Sequence, residues 1–73
     1  MAASQAMVTL QLNGEARDFP DELTVAELVS ALKIETPAIA IEVNRVMVPR
    51  SEHRQRRLMD GDEVEIVTFV GGG

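Results

Sequence analysis

The chain has 73 residues, of which 45% are hydrophobic, and carries a formal net charge of −5 at pH 7. This length allows one domain, and the apolar content is typical of a folded protein rather than a disordered one. The sequence has no cysteine, which excludes disulfides, thiolate metal sites, iron–sulfur clusters and cysteine nucleophiles. The acidic charge disfavours nucleic-acid binding, and no apolar run approaches the roughly 20 residues of a membrane helix.

The two ends of the chain differ in composition from its middle. Residues 1–6 are small or polar and show no periodicity, so we expect a flexible leader, a folded domain over residues 7–69 and a flexible glycine tail over residues 70–73. The leader lacks the basic and apolar regions of a signal peptide. The expected compartment is the cytoplasm.

The first predicted element is a β-hairpin. Val8, Leu10 and Leu12 alternate with polar residues, as in a half-buried strand. The pair Asn13-Gly14 favours a type I′ turn, and a weaker strand over residues 15–19 follows it.

A helix is predicted from Thr24 to Lys33. Thr24 and Glu27 have the spacing of a capping box, and Lys33 would place a positive charge in the last turn, where the helix dipole favours it. Pro37 prevents continuation. One apolar stripe at helical spacing consists of Val25, Leu28, Val29 and Leu32.

Three further strands are predicted. They cover residues 38–43, near the sheet centre, 46–48, and 63–69, with a loop or single helical turn over 50–57 and a turn at 60–62. We expect the helix to cross one face of the sheet, the strand after it to pair beside the first strand, and the last strand to pair with the first. The predicted fold is α+β: a β-grasp (ubiquitin-like) fold with a mixed four- to five-stranded sheet and one main helix packed across it.

The polar residues give few candidates for a catalytic or metal site. His53 is the single histidine, and in an arginine-rich loop we expect it to be an exposed surface residue rather than a ligand. Asp60 and Asp62 flank Gly61 and are expected to shape a turn. Five of the seven basic residues lie between Arg45 and Arg57. This basic cluster forms either a solvated loop or a charged docking surface for a protein partner.

The end of the chain is unusual because three glycines follow an apolar strand. They add no packing and carry an entropic cost. Residues 70–73 can extend about 13 Å, and without side chains they can thread a narrow channel. The alternative is a frayed terminus, and composition favours neither interpretation.

The motifs together resemble one family. Residues 64–73, preceded by Asp60-Gly61-Asp62, are similar to the C-terminal signature of the ThiS sulfur carriers of thiamine biosynthesis. Residues 41–44 with 48–50 resemble the central strand and following loop of that family, and residues 12–14 with 24–28 its hairpin and helix start. The resemblance covers residues 7–73; the leader is additional.

The resemblance implies a β-grasp fold and a carrier that is not itself an enzyme. An E1-like enzyme, ThiF in bacteria, would use ATP and magnesium to adenylate the carboxylate of Gly73. Sulfur from a persulfide, supplied by a cysteine desulfurase, would then replace AMP and give a thiocarboxylate. Thiazole synthase, ThiG, would accept that sulfur. The carrier would bind no cofactor and would be a monomer when alone.

The resemblance also assigns the site residues. Gly73 and Gly72 would form the sulfur-carrying terminus, Gly71 would extend it, and Val70 and Phe69 would contact partners. Phe69 has a second interpretation, because alternation places it opposite Val64 and Ile66, where it would either fill a second small cluster or face a partner.

Three alternatives stay open at this stage. A MoaD-like small subunit of molybdopterin synthase shares the fold and the tail chemistry, although such tails usually carry prolines before the glycines. A ubiquitin-like modifier typically has an arginine at the position of Val70. A stand-alone interaction domain with a fortuitous tail would bind its partners without these glycines.

Overall fold

The computed structural model describes residues 6–69, which form one sheet, one α-helix and a short 3-10 helix. The predicted leader and tail lie outside these residues, except for Ala6, whose carbonyl accepts a hydrogen bond from the backbone N–H of Asp21 at 3.0 Å. The elements in chain order are β1 (Met7–Leu12), β2 (Glu15–Pro20), α1 (Val25–Ala31), β3 (Ile39–Val43), β4 (Val46–Met47), the 3-10 helix (Arg50–Glu52) and β5 (Glu63–Thr68).

The five strands form a mixed sheet in the order β2-β1-β5-β3-β4. The last strand pairs with the first, as predicted, and this pair is the parallel one. The predicted place of β3 beside β1 is wrong, because β5 inserts between them. The backbone of β5 is bonded on both sides: the Val64 carbonyl accepts from Asn13 N at 2.9 Å, and the Glu63 carbonyl accepts from Asn44 N at 2.7 Å.

The predicted hairpin is confirmed. Asn13 and Gly14 have φ angles of 49° and 85°, the left-handed values that a two-residue type I′ turn requires. Leu12 is directly opposite Glu15, so the turn contains only those two residues. A second turn of this kind joins β3 to β4 through Asn44 and Arg45, with φ angles of 52° and 68°.

The helix begins with the predicted capping box. The Thr24 hydroxyl accepts from Glu27 N at 3.1 Å, and the Glu27 carboxylate accepts from Thr24 N at 2.9 Å. Val25 and Leu28 are fully buried against the sheet. The capping box satisfies two backbone donors that a helix start otherwise leaves free.

The predicted end of the helix is wrong by two residues. The helix ends at Ala31, and Lys33 follows the cap residue Leu32 with a φ angle of 58°. Lys33 N donates to the Ser30 carbonyl at 3.0 Å and Ile34 N to the Val29 carbonyl at 3.2 Å. This is the bonding pattern of a Schellman motif, with lysine in the position that glycine usually holds. Half-buried Ile34 packs against the core and holds the motif closed.

The residues from Arg50 to Arg57 form the predicted loop with a single helical turn. The loop packs at the start of α1, where the carbonyls of Arg56 and His53 accept from Val25 N and Ala26 N, both at 2.9 Å. His53 is half-buried rather than exposed, so that expectation was wrong, and its Nε2 lies 3.1 Å from the Val48 carbonyl. This histidine therefore fixes the loop.

The sheet has two unlike faces. The inner face packs against α1 and supplies most of the core, which contains Val8, Leu10, Leu12, Phe19, Val25, Leu28, Ile41, Val43, Val48, Leu58, Val64 and Ile66. We define the open face as six of the outward-pointing residues of the three inner strands, Gln11, Ala40, Glu42, Glu63, Glu65 and Val67, all of which are exposed or half-buried. Within residues 6–69, no helix is both long and apolar enough to cross a membrane.

Candidate functional site

The candidate site begins where the chain leaves the sheet at the end of β5. Phe69 N donates to the Ala38 carbonyl at 2.8 Å, which continues the β3–β5 pairing by one residue beyond the strand. The backbone is therefore held in place up to Phe69. The predicted site residues Val70, Gly71, Gly72 and Gly73 lie outside the described residues, and their roles stay predictions.

The asparagine of the first hairpin turn holds one side of β5. The Asn13 side-chain amide accepts from Ile66 N at 2.9 Å and donates to the Ile66 carbonyl at 3.3 Å. A side-chain amide has the same donor and acceptor groups as a peptide, so Asn13 continues the parallel pairing past the end of β1. The sequence signalled the turn but not this contact, because Ile66 lies 53 residues further along the chain.

The asparagine of the second turn holds the other side. Asn44 Oδ1 accepts from Glu63 N at 3.0 Å, while its Nδ2 donates to Asp62 Oδ1 at 2.9 Å. The other carboxylate oxygen of Asp62 accepts from Met59 N at 2.8 Å. Asp62 is buried, and its hydrogen bonds to these two donors compensate for the lost water. The start of β5 is thus fixed in both the sheet and the preceding turn.

The turn before β5 is shaped by its acids, as predicted. Asp60 Oδ1 accepts from Thr9 N at 2.8 Å, and the Thr9 carbonyl accepts from Gly61 N at 2.8 Å. Gly61 has a φ of 87°, a conformation that L side chains rarely adopt. The two asparagines, together with Asp60 and Asp62, make β5 a rigid base for the terminal segment.

An apolar patch borders the exit of the terminal segment. Phe69 is 56% exposed and Val67 51% exposed, so Phe69 does not fill a second buried cluster. The pairing of β3 with β5 places Ala40 opposite Val67 and Ala38 beside Phe69, on the same side of the sheet. Large apolar side chains left in water next to one another are typical of surfaces that contact another protein. Contact of Phe69 with a partner stays a prediction.

Carboxylates surround a shallow cleft on the open face beside this patch. The cleft has a volume of about 350 Å³ and is lined by Gln11, Gly14, Glu42, Arg45, Glu63 and Glu65. Arg45 approaches Glu63, with 3.9 Å between Nε and Oε1. Both side chains are largely exposed, so this ion pair contributes little to stability.

Apart from Arg45, which lines the cleft, the arginines of the basic cluster belong to the loop at the start of α1. Arg56 Nη1 donates to the Arg57 carbonyl at 2.9 Å, and Arg57 Nη1 lies 3.4 Å from Glu22 Oε1. Within residues 6–69, no group of three or more histidine, cysteine, aspartate or glutamate residues could hold a metal ion. The site therefore consists of a hydrogen-bonded strand, an exposed apolar patch and an acidic cleft.

Comparisons with known proteins agree with this description. Residues 10–73 match the model of the ThiS family. The chain is 34% identical to the sulfur carrier protein ThiS of Bacillus subtilis over 65 residues, covering 88% of this chain and 98% of that protein. It is 42% identical over 64 residues to a thiazole synthase of Paramagnetospirillum magneticum, which covers 88% of this chain but only 20% of that protein. The chain thus spans about a fifth of the length of that synthase.

A solved structure confirms the fold. The crystal structure of the thiamine biosynthesis protein ThiS from Geobacter metallireducens superposes with a TM-score of 0.78 at 33% identity, covering 90% of this chain and 100% of that one. The predicted β-grasp architecture is therefore correct. The chain belongs to the ThiS family, the sulfur carrier proteins of thiamine biosynthesis.

Proposed function

We propose that this chain carries sulfur as a thiocarboxylate on Gly73 and delivers it to a thiazole synthase, which builds the thiazole ring of thiamine. The observation that carries the proposal is the family match, which runs as far as Gly73 and so includes the terminal glycines. The hydrogen bonding of β5 up to Phe69 also supports the proposal, because a partner can then bind the domain while it acts on the residues beyond Phe69.

The first step is activation of the terminus. A carboxylate oxygen of Gly73 attacks the α-phosphorus of magnesium-bound ATP in a ThiF-like enzyme, forming an acyl adenylate and releasing pyrophosphate. Activation is needed because a carboxylate has no good leaving group, whereas AMP leaves readily from a mixed anhydride. Gly71 and Gly72 leave room for this reaction, since a backbone without side chains fits a narrow channel.

The second step exchanges oxygen for sulfur. The outer sulfur of a persulfide, formed by a cysteine desulfurase, attacks the acyl carbon of Gly73 and displaces AMP. A thiol then cleaves the resulting acyl disulfide, which leaves a thiocarboxylate on Gly73 and a disulfide on the donor side. The absence of cysteine in this chain suits the reaction, because no thiol of its own competes for the activated carbon.

The third step is delivery of the sulfur. The thiocarboxylate sulfur is a better nucleophile than the oxygen it replaced, and it attacks a carbonyl-derived intermediate on the synthase. A thiazole synthase as acceptor is supported by the synthase of Paramagnetospirillum magneticum, in which a segment similar to this chain is part of the same polypeptide. Exposed Phe69 and neighbouring Val70 are the residues we expect partners to contact.

Release of pyrophosphate tests the activation step. The intact protein is incubated with ATP, magnesium and its cognate ThiF-like enzyme, alongside a variant lacking Gly72 and Gly73. We expect release with the intact protein and none with the shortened one, while thermal unfolding of the two coincides because the deletion leaves residues 6–69 and their contacts unchanged. Equal release from both proteins would contradict the proposal. Copurification with a thiazole synthase, rather than with the large subunit of molybdopterin synthase, separates this function from its nearest alternative.

A further inference from the structure

The open face contains an arrangement of charge that does not help the fold. Glu42 of β3 lies directly opposite Glu65 of β5 in the antiparallel pairing, so the two carboxylates share one side of the sheet. Like charges in directly opposite positions destabilise a sheet, whereas a glutamate opposite a lysine would stabilise it. Strands β3 and β5 therefore have a repulsive pair of carboxylates at a position where two opposite charges would stabilise the sheet.

Within residues 6–69, no ion pair includes either glutamate of this pair, although Arg45 lines the same cleft. Among residues 6–69, the two ion pairs join Arg45 to Glu63 and Arg57 to Glu22, and neither includes Glu42 or Glu65. Glu63 lies two residues before Glu65 on the same side of β5 and lines the same cleft. The acidic surface is thus continuous across β3 and β5, and it adjoins the apolar patch of Val67 and Phe69.

Positive charge is concentrated in a different part of the molecule. The loop that contains the basic cluster packs at the start of α1 through the backbone of His53 and Arg56, on the helix side of the sheet. The acidic open face and the basic loop are thus separated by the sheet. Of the residues that line the acidic cleft, only Arg45 is positive, against Glu42, Glu63 and Glu65. A surface with this excess of acids is suited to a partner of opposite charge.

The activation chemistry indicates which partner carries that charge. An enzyme that adenylates Gly73 has to hold the triphosphate of ATP, and proteins hold phosphates with arginine, lysine and magnesium. The terminal segment has to reach the α-phosphorus, so the carrier docks beside that nucleotide site. Since residues 70–73 span about 13 Å at most, the surface that meets the open face borders the phosphate-binding region.

We propose that the open face docks on a cationic surface of the adenylating enzyme, with Glu42 and Glu65 facing its basic side chains and Phe69 in an apolar contact next to the channel entrance. This inference rests on the proposed function. Exposed charges act mainly on the rate of encounter, and over a range of about 8 Å at physiological ionic strength. The two glutamates therefore raise the efficiency of adenylation without taking part in the chemical step.

The test is a pair of charge reversals with the same change in net charge. Glu65→Lys alters the open face, and Glu52→Lys alters an exposed position in the 3-10 helix, on the helix side of the sheet. The initial rate of pyrophosphate release is measured with the intact enzyme as a function of carrier concentration, at low and high salt. Thermal unfolding of both variants is recorded in parallel.

We expect Glu65→Lys to lower kcat/KM for the carrier about tenfold at low salt, with kcat unchanged and the defect shrinking as salt is added. Its unfolding temperature should not fall, because the substitution removes a repulsion; this separates weaker docking from weaker folding. Glu52→Lys should stay within about twofold of the original protein, since it lies outside the proposed interface.

Three results would overturn the inference while leaving the proposed function intact. The first is normal adenylation of Glu65→Lys at low salt. The second is an equal loss in both variants, which would show an effect of net charge rather than of the open face. The third is a defect confined to sulfur delivery to thiazole synthase, which would assign the open face to the other partner. Failure of the unaltered chain to be adenylated at all would contradict the proposed function itself.

Discussion

The two faces of the sheet are formed by the same strands but have different roles. On β5, Val64 and Ile66 point inward and are buried, whereas Glu63, Glu65 and Val67 point outward and are exposed. The inner residues are constrained by contact with α1 and the neighbouring strands. The outer residues are free of that constraint, and they include a repulsive glutamate pair and an exposed valine that add nothing to the core. The comparison shows that stability lies on one side of the sheet, and it leaves the other side available for partners.

Adjacent positions on β5 give the largest expected contrast between the faces. Ile66→Ala removes a buried side chain and should lower the free energy of unfolding by about 2–5 kcal/mol. Val67→Ala, one residue further on and 51% exposed, should lower it by about 1 kcal/mol or less. Urea unfolding of the two variants measures both values. Equal losses would show that the open face is packed as tightly as the inner one, contrary to the structure.

Substitutions of Asn13 test how firmly β5 is fixed, and we expect a loss of unfolding free energy of intermediate size. Asn13→Gly keeps the positive φ angle but removes both hydrogen bonds to Ile66, and it should cost about 1–2 kcal/mol of unfolding free energy. Asn13→Ala should cost about 1 kcal/mol more, because alanine is strained in the left-handed region. Chemical denaturation distinguishes the two. If Asn13→Gly were as stable as the original protein, the side-chain bridge to β5 would have no energetic role.

The smallest effect concerns the glutamate pair. Glu65→Lys should raise the free energy of unfolding by about 0.2–1 kcal/mol, since it replaces a cross-strand repulsion with an attraction. The gain should diminish at 1 M salt, where screening reduces the interaction of exposed charges to a range of about 3 Å. Thermal or urea unfolding at two salt concentrations measures it. A loss of stability that does not depend on salt would mean that Glu65 makes a structural contact beyond its charge.

Local signals in the sequence predicted the local structure well. Asn13-Gly14 specified its turn because few residues tolerate positive φ at two successive positions. Thr24 and Glu27 specified the helix start because the two side chains satisfy backbone donors only three residues apart. The apolar alternation of each strand gave its buried face, and the predicted sheet with one helix across it is confirmed.

The errors arose where distant residues decide the outcome. The alternation of residues along a strand indicates which of its faces is buried but not which strands lie beside it. The position of β5 between β1 and β3 was therefore not predicted. Lys33 was placed in the helix because its charge suits a last turn, but its φ angle is positive and half-buried Ile34 packs against the core, so the helix ends earlier. His53 was expected in water, whereas its ring bonds the Val48 carbonyl and fixes the loop.

The candidate site could be predicted only in part, because some of its contacts also join residues that are far apart in the sequence. Phe69 could be singled out because aromatic residues are scarce in this chain and it ends the last strand; its exposure agrees with a surface role. The contributions of Asn44, Asp62 and the Glu42–Glu65 pair depend on pairings between segments far apart in the sequence. Only the three-dimensional structure brings these residues together along β5, the strand that leads to the terminal segment.

The mass of the C-terminal peptide after a complete charging reaction tests the central claim most directly. The chain is incubated with ATP, magnesium, the ThiF-like enzyme and a persulfide-forming cysteine desulfurase, then cleaved and analysed by mass spectrometry. We predict replacement of one oxygen by sulfur in the peptide that ends at Gly73, dependent on ATP, and no such change elsewhere. An unchanged terminal peptide, or sulfur attached at any other residue, would contradict the account.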